Sequence, residues 1–241
     1  MTTPQRFPKG VTNVESGKTL DQLLIPDPTS LHQFIDDFDK FVPGDWLITR
    51  VTDSSATTEG SEAIQDEIGG VLKITLSNAD DDSCFLQMKG SQNVTTASEV
   101  FKLVSGKKTW FKCRVAVSDI DATDFLIGLQ AANTTPLTPA NGVFFRSDDG
   151  DANLDFHVYA SSVAISSNSA IATMADATYA VLGFYFNGGG TIEYYVNDVL
   201  FGSVETTSFP TTEMTLTFGV QNGAAAAKTM SIDYIFVGQE R

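Results

Sequence analysis

From Leu31 onward the chain is written in short runs of alternating or continuous β-branched and aromatic residues, and an apolar period of 3.6 is nowhere sustained. The clearest alternation is Trp110-Phe111-Lys112-Cys113-Arg114-Val115-Ala116-Val117, in which Lys112 and Arg114 point one way and Phe111, Cys113 and Val115 the other. The run Thr191-Ile192-Glu193-Tyr194-Tyr195-Val196-Asn197-Asp198 repeats the theme beside a glycine-rich turn. This pattern predicts strands near 31–38, 46–52, 71–77, 83–89, 99–103, 109–118, 125–131, 142–146, 154–160, 179–186, 191–196, 214–221 and 228–237. Clusters at 78–82, 105–107, 148–151 and 187–190 supply the Gly and Asx residues that tight turns need. About a dozen short strands without an intervening helix imply a two-sheet sandwich or a barrel. No hinge cuts residues 31–241, so a single all-β domain is expected there.

Residues 1–30 read differently. They hold four of the eight prolines (Pro4, Pro8, Pro26 and Pro28) and no sustained apolar period. An extended arm is expected, with a docking role because Phe7, Val11, Val14, Leu23, Leu24 and Ile25 are more apolar than a solvated linker requires. Residues 1–9 hold no apolar segment of the kind a secretory leader needs, and no run approaches the ~18–20 apolar residues that span a bilayer.

Charge narrows the class further. The 241 residues carry 15 Lys and Arg against 30 Asp and Glu, a net −15, while 42% hydrophobic residues are ample for a core. An acidic chain is a poor match for nucleic acid, whose phosphates call for clustered Lys and Arg, and for an anionic membrane surface. The arm is balanced, with Arg6, Lys9 and Lys18 against Glu15, Asp21 and Asp27, so the acid belongs to the sandwich and its turns. A neutral arm docked on a protein lattice and an acidic body facing solvent fit that split. Cys84 and Cys113 sit in strand-like runs without metal spacing and are expected as reduced, partly buried thiols, with a bridge between them open only if their strands are neighbours.

Several stretches read together carry a resemblance. They include Phe34-Ile35-Asp36-Asp37-Phe38-Asp39 with Gly44-Asp45-Trp46, then Leu182-Gly183-Phe184-Tyr185-Phe186-Asn187-Gly188, the 191–198 run, and the closing Ile232-Asp233-Tyr234-Ile235-Phe236-Val237-Gly238-Gln239. This layout resembles the concanavalin A-like jelly roll in its laminin-G-like and glucanase-like variants. The resemblance implies an early strand paired with the last one, and a hairpin through the 194–203 region. More narrowly, with the arm phrase Arg6-Phe7-Pro8-Lys9-Gly10-Val11-Thr12-Asn13-Val14, the chain resembles virion structural proteins of tailed phages. That likeness implies an outer-capsid decoration, cement or head-fibre protein, made in the host cytoplasm and carried on the virion surface. Its arm, through Arg6, Phe7, Pro8, Val11, Val14, Leu23 and Leu24, would bind capsid or other virion proteins, and the chain would assemble as a homo-oligomer, a dimer or trimer. The alternative is a carbohydrate-binding, lectin-like fibre or tail module that contacts the host surface.

The candidate chemistry is sparse. Glucanases of this superfold carry a Glu-x-Asp-x-x-Glu strand, and the nearest match, Asp119-Ile120-Asp121-Ala122-Thr123-Asp124, contains no Glu. His32 and His157 have no nucleophile elbow near them, and Asn187-Gly188-Gly189-Gly190 precedes no helix that would cradle phosphate. A non-enzymatic protein without catalytic residues or an obligatory cofactor is therefore expected. Calcium is the one cofactor with a candidate set, Asp149, Asp151, Asn153 and Asp155 at alternate positions, although the glycine and terminal glutamate of an EF-hand are missing. A lectin site needs exposed aromatics. Tyr194 and Tyr195 are candidate glycan contacts, and alternation sends one of them inward and the other outward.

Overall fold

In the computed structural model, the described residues are 30–241 apart from 92–93 and 206. They fold as fifteen antiparallel strands in two face-to-face sheets, with a single 3-10 turn at Pro43–Asp45. In chain order the strands are β1 (Leu31–Asp36), β2 (Trp46–Val51), β3 (Ser61–Gln65), β4 (Val71–Thr75) and β5 (Ser83–Met88). Then come β6 (Thr109–Val117), β7 (Thr123–Gln130), β8 (Gly142–Ser147), β9 (Asn153–Ala160) and β10 (Val163–Thr173). The last five are β11 (Ala180–Phe186), β12 (Thr191–Val196), β13 (Val199–Glu205), β14 (Thr215–Asn222) and β15 (Thr229–Glu240).

The eight-stranded sheet runs β13-β12-β11-β6-β15-β4-β3, and β1 also lies against β15. One side of β15 pairs with β6 along its length, while the other is shared by β4 at residues 229–232 and β1 at residues 235–240. The seven-stranded sheet runs β10-β9-β8-β7-β14-β5-β2. Alternation is clear in β6 and β12 of the eight-stranded sheet, whereas β5, β7, β8 and β14 of the other sheet are buried at nearly every position. Phe111, Cys113 and Val115 of β6 meet Leu216, Phe218 and Val220 of β14 in one contiguous core. Aromatic pairs join the two layers, among them Phe156 against Tyr194 with ring centroids 4.6 Å apart. Each fully buried Phe contributes about 1.5–3 kcal/mol of transfer free energy.

The structure departs from the sequence pattern at four places. Residues 99–103 do not form a strand; only Phe101 pairs there, through an isolated bridge to Met214. Strands β3, β10 and β13 are not marked by the periodicity, and all three occupy sheet edges. An edge strand is solvated along one side and needs little apolar alternation, so Ser-Glu-Ala-Ile-Gln and the Ser/Ala-rich β10 leave a weak signal. Cys84 and Cys113 are both free and buried, on opposite sheets.

A second, smaller apolar cluster lies outside the sandwich. On the outer face of the seven-stranded sheet, Phe85, Leu126 and Phe144 are covered by Leu137 and Tyr159. Leu137 belongs to the connection 131–141, which lies over the sheet as a strap. The Arg146 guanidinium donates to the Leu137 carbonyl at 2.8 Å, and the Asn133 N–H to Gln87 Oε1 at 3.3 Å.

Candidate functional site

The outer face of the eight-stranded sheet carries a groove of about 400 Å³. Its walls come from outward positions on β6, β11 and β12, with Phe236 of β15 beside them, and the inward neighbours of these positions are core residues. Trp110 and Lys112 alternate with buried Phe111 on β6, Val181, Gly183 and Tyr185 with Leu182 and Phe184 on β11, and Glu193 and Tyr195 with Tyr194 on β12. Register then joins them across the strands. Tyr185 stands opposite both Trp110 and Glu193, and Gly183 opposite both Lys112 and Tyr195. The Trp110 and Tyr185 rings stack at 5.7 Å with 28° between their planes. Gly183 leaves the floor open between them and Tyr195, where any other residue would place a side chain.

Polar groups edge this aromatic surface. The Tyr195 hydroxyl donates to Glu193 at 2.5 Å, and that bond pushes the phenol up to about 12. Lys112 Nζ donates to Asp198 at 2.6 Å. Asp198 sits in the β12–β13 turn with Asn197, both at positive φ (62° and 51°), as a tight hairpin of primed type requires. Beyond the groove, Arg114 pairs with Asp233 and lies 4.0 Å over the Tyr179 ring. Aromatic faces for the C–H side of a pyranose ring, beside carboxylate and ammonium groups for its hydroxyls, are what a sugar site requires.

Of the two candidate tyrosines, only Tyr195 reaches this surface; Tyr194 points inward against Phe156. The calcium set is not assembled. Asp151 Oδ1 accepts from the Asn153 backbone and side chain, Asn153 Oδ1 accepts from Thr173, and Asp155 Oδ1 accepts from the Ala170 N–H. The Asp149 N–H donates to Asp124. Local Asx turns and cross-strand donors from β10 take up these oxygens. Among the described residues, no group of three or more His, Cys, Asp or Glu is placed to hold a metal ion. The arm residues Arg6, Phe7, Pro8, Val11, Val14, Leu23 and Leu24 lie outside the described residues.

The Asp119–Asp124 stretch is spread over a loop and a strand. Asp119 pairs with Lys228 at 2.5 Å, while Asp124 stands at the start of β7 with its acid pushed up by burial and partly held down by the Asp149 N–H. The outer face of the seven-stranded sheet also holds Arg146 paired with Asp148, and His157 3.6 Å from Asp155.

The sequence matches no family model and no curated protein. The fold has solved counterparts. A prokaryotic beta-1,3-1,4-glucanase (lichenase) from a mouse hindgut metagenome matches with a TM-score of 0.57 at 11% identity, over 85% of this chain and 98% of its own. Bacillus licheniformis beta-glucanase matches at 0.54 and 13% identity, over 85% and 97%. Peanut lectin matches at 0.56 and 9% identity, over 87% and 97%. Together with the two antiparallel sheets, these matches define a concanavalin A-like jelly roll.

The same matches correct the expectation of a non-enzymatic protein. Glucanases and a glycosidic hydrolase share this fold at 11–13% identity, as lectins do at similar distance. A missing local motif is no ground for excluding catalysis, because catalytic groups are brought together in space by several strands. Lys112 and Glu193 belong to the groove although neither is among the candidate site residues of the sequence, since their adjacency is a matter of cross-strand register. The one signal available for them is parity: each is an outward position flanked by inward apolar residues.

Proposed function

We propose that this protein binds carbohydrate through the groove of Trp110, Tyr185 and Tyr195 on the eight-stranded sheet. The observation that carries the reading is a set of three aromatic residues around the unfilled Gly183 position, edged by Glu193, Lys112 and Asp198. Sugars with an apolar C–H face would stack on the rings, and their hydroxyls would exchange hydrogen bonds with the flanking charges. Lectins and glucanases among the structures of this fold lend support by analogy. The phage-like arm phrase suggests the setting: a module on a virion surface, anchored through residues 6–24 and presenting the groove to host glycans.

The test is a glycan array followed by titration calorimetry on the full chain, with and without calcium. Trp110→Ala and Tyr195→Ala should each weaken binding about tenfold, the equivalent of about 1.4 kcal/mol, without unfolding the domain. A broad array with no bound glycan would overturn the reading. A reducing-end assay on the bound glycans distinguishes a binder from a hydrolase, and turnover lost in Asp124→Asn would place chemistry on the opposite sheet.

A further inference from the structure

The groove is one part of a longer row. Leu200 on β13 stands opposite Tyr195 on β12, which stands opposite Gly183 on β11. Gly183 faces Lys112 on β6, Lys112 faces Phe236 on β15, and Phe236 faces Ile35 on β1. Directly opposed residues of antiparallel strands share a face, so these six positions form one line perpendicular to the strands. Five inter-strand spacings make that line about 24 Å long. Its ends are not buried: Leu200 is 53% and Ile35 61% exposed, so among the described residues neither end is closed by a wall of protein.

Charge along the line is locally balanced. Lys112 is paired with Asp198 and Arg114 with Asp233, while Glu193 holds the Tyr195 hydroxyl. The chain as a whole is at −15. The surface therefore offers an anionic polymer no free cation in the groove and a repulsive background. A second copy packed on this face would have to bury two sets of these paired charges, a desolvation cost that a hydroxylated partner avoids by bonding to them.

Building on the carbohydrate reading, we infer that the ligand is an extended, uncharged polysaccharide lying across the strands from Leu200 to Ile35, held by internal units of the chain rather than by a terminal sugar. The apolar ends and central aromatic groups would each meet a successive unit, with Gly183 giving room for the middle ones.

The experiment is calorimetry on the full chain with neutral β-glucan and mannan oligomers of about two to six units, and with galacturonate oligomers of the same lengths. Affinity for a neutral series should tighten about tenfold between two and five units and then level off, with galacturonate at least tenfold weaker. Leu200→Glu and Ile35→Glu, both at exposed edge positions, should weaken the five-unit ligand about fivefold and leave the shortest one unchanged. Trp110→Ala should weaken every length. Binding that ignores length, or that favours galacturonate, overturns this inference and leaves the carbohydrate reading intact. Binding at no length in any of these series overturns this inference and leaves the carbohydrate reading to the array, while a dimer in solution that Leu200→Glu and Ile35→Glu dissociate overturns both.

Discussion

At the scale of single residues, two positions are set by their neighbours rather than by their own chemistry. Tyr195 keeps its proton because its hydroxyl donates a hydrogen bond to the Glu193 carboxylate at 2.5 Å. Ultraviolet titration should show one tyrosine ionising near 12, well above the ordinary value of about 10, and Glu193→Gln should bring it back toward that value. Gly219, in the middle of β14, is fixed by crowding: an added Cβ would lie 2.4 Å from the Cys84 carbonyl and 2.6 Å from Phe85 Cα. Both contacts are with backbone, which cannot swing aside. Gly219→Ala should cost about 2–4 kcal/mol, read as a lower denaturant midpoint with an unchanged slope.

At the scale of elements, legibility followed burial. Central strands such as β6, β11 and β14 announce themselves because the core between the sheets demands an apolar residue at every second position, as Leu216, Phe218 and Val220 do in Thr-Leu-Thr-Phe-Gly-Val-Gln-Asn. Edge strand β13 has only Val204 and the small Gly202 on its inner side, and its outward Leu200 obscures the period. The groove was half legible. Parity separates Tyr194 from Tyr195, but pairing Trp110 with Tyr185 needs the β6–β11 register, which forms between residues about 75 apart in the chain and leaves no local mark. The hairpin before β13 gives a test at this scale. Asn197 tolerates positive φ and accepts the Val181 N–H through its side chain at 2.9 Å, so Asn197→Ala should cost about 1 kcal/mol. Because that turn also holds Asp198, the same change should weaken glycan binding by loosening the Lys112 pair, which calorimetry on the variant would register.

At the scale of the whole molecule, acid should destabilise the sandwich through its histidines. His157 is packed against Phe144 and Tyr159, and burial holds it below its ordinary value against the pull of Asp155; burial also lowers His32. A depressed histidine contributes stability above about 6.5, and that contribution is lost as pH falls through its folded value. Asp36 and Asp124 run the other way: burial raises them, so their contribution is present at low pH and lost as pH rises through the raised values, which opposes the histidines. Thermal midpoints should therefore fall on acidification from pH 7 toward 5.5, and His157→Gln should flatten that slope. A slope unchanged in the variant would assign the effect to other groups.

The position of β15 at the centre of its sheet has a kinetic consequence. The strand bonds to β6 on one side and to β4 and β1 on the other, so three earlier strands wait for the one that joins them. A ribosome delivers the chain in order, and until residues 229–240 emerge, β4, β1 and β6 present open edges to one another and to neighbouring nascent chains. Assembly of this sheet is thus postponed to the end of synthesis. A chaperone that guards exposed strand edges should raise the soluble yield far more than one that acts on the finished fold.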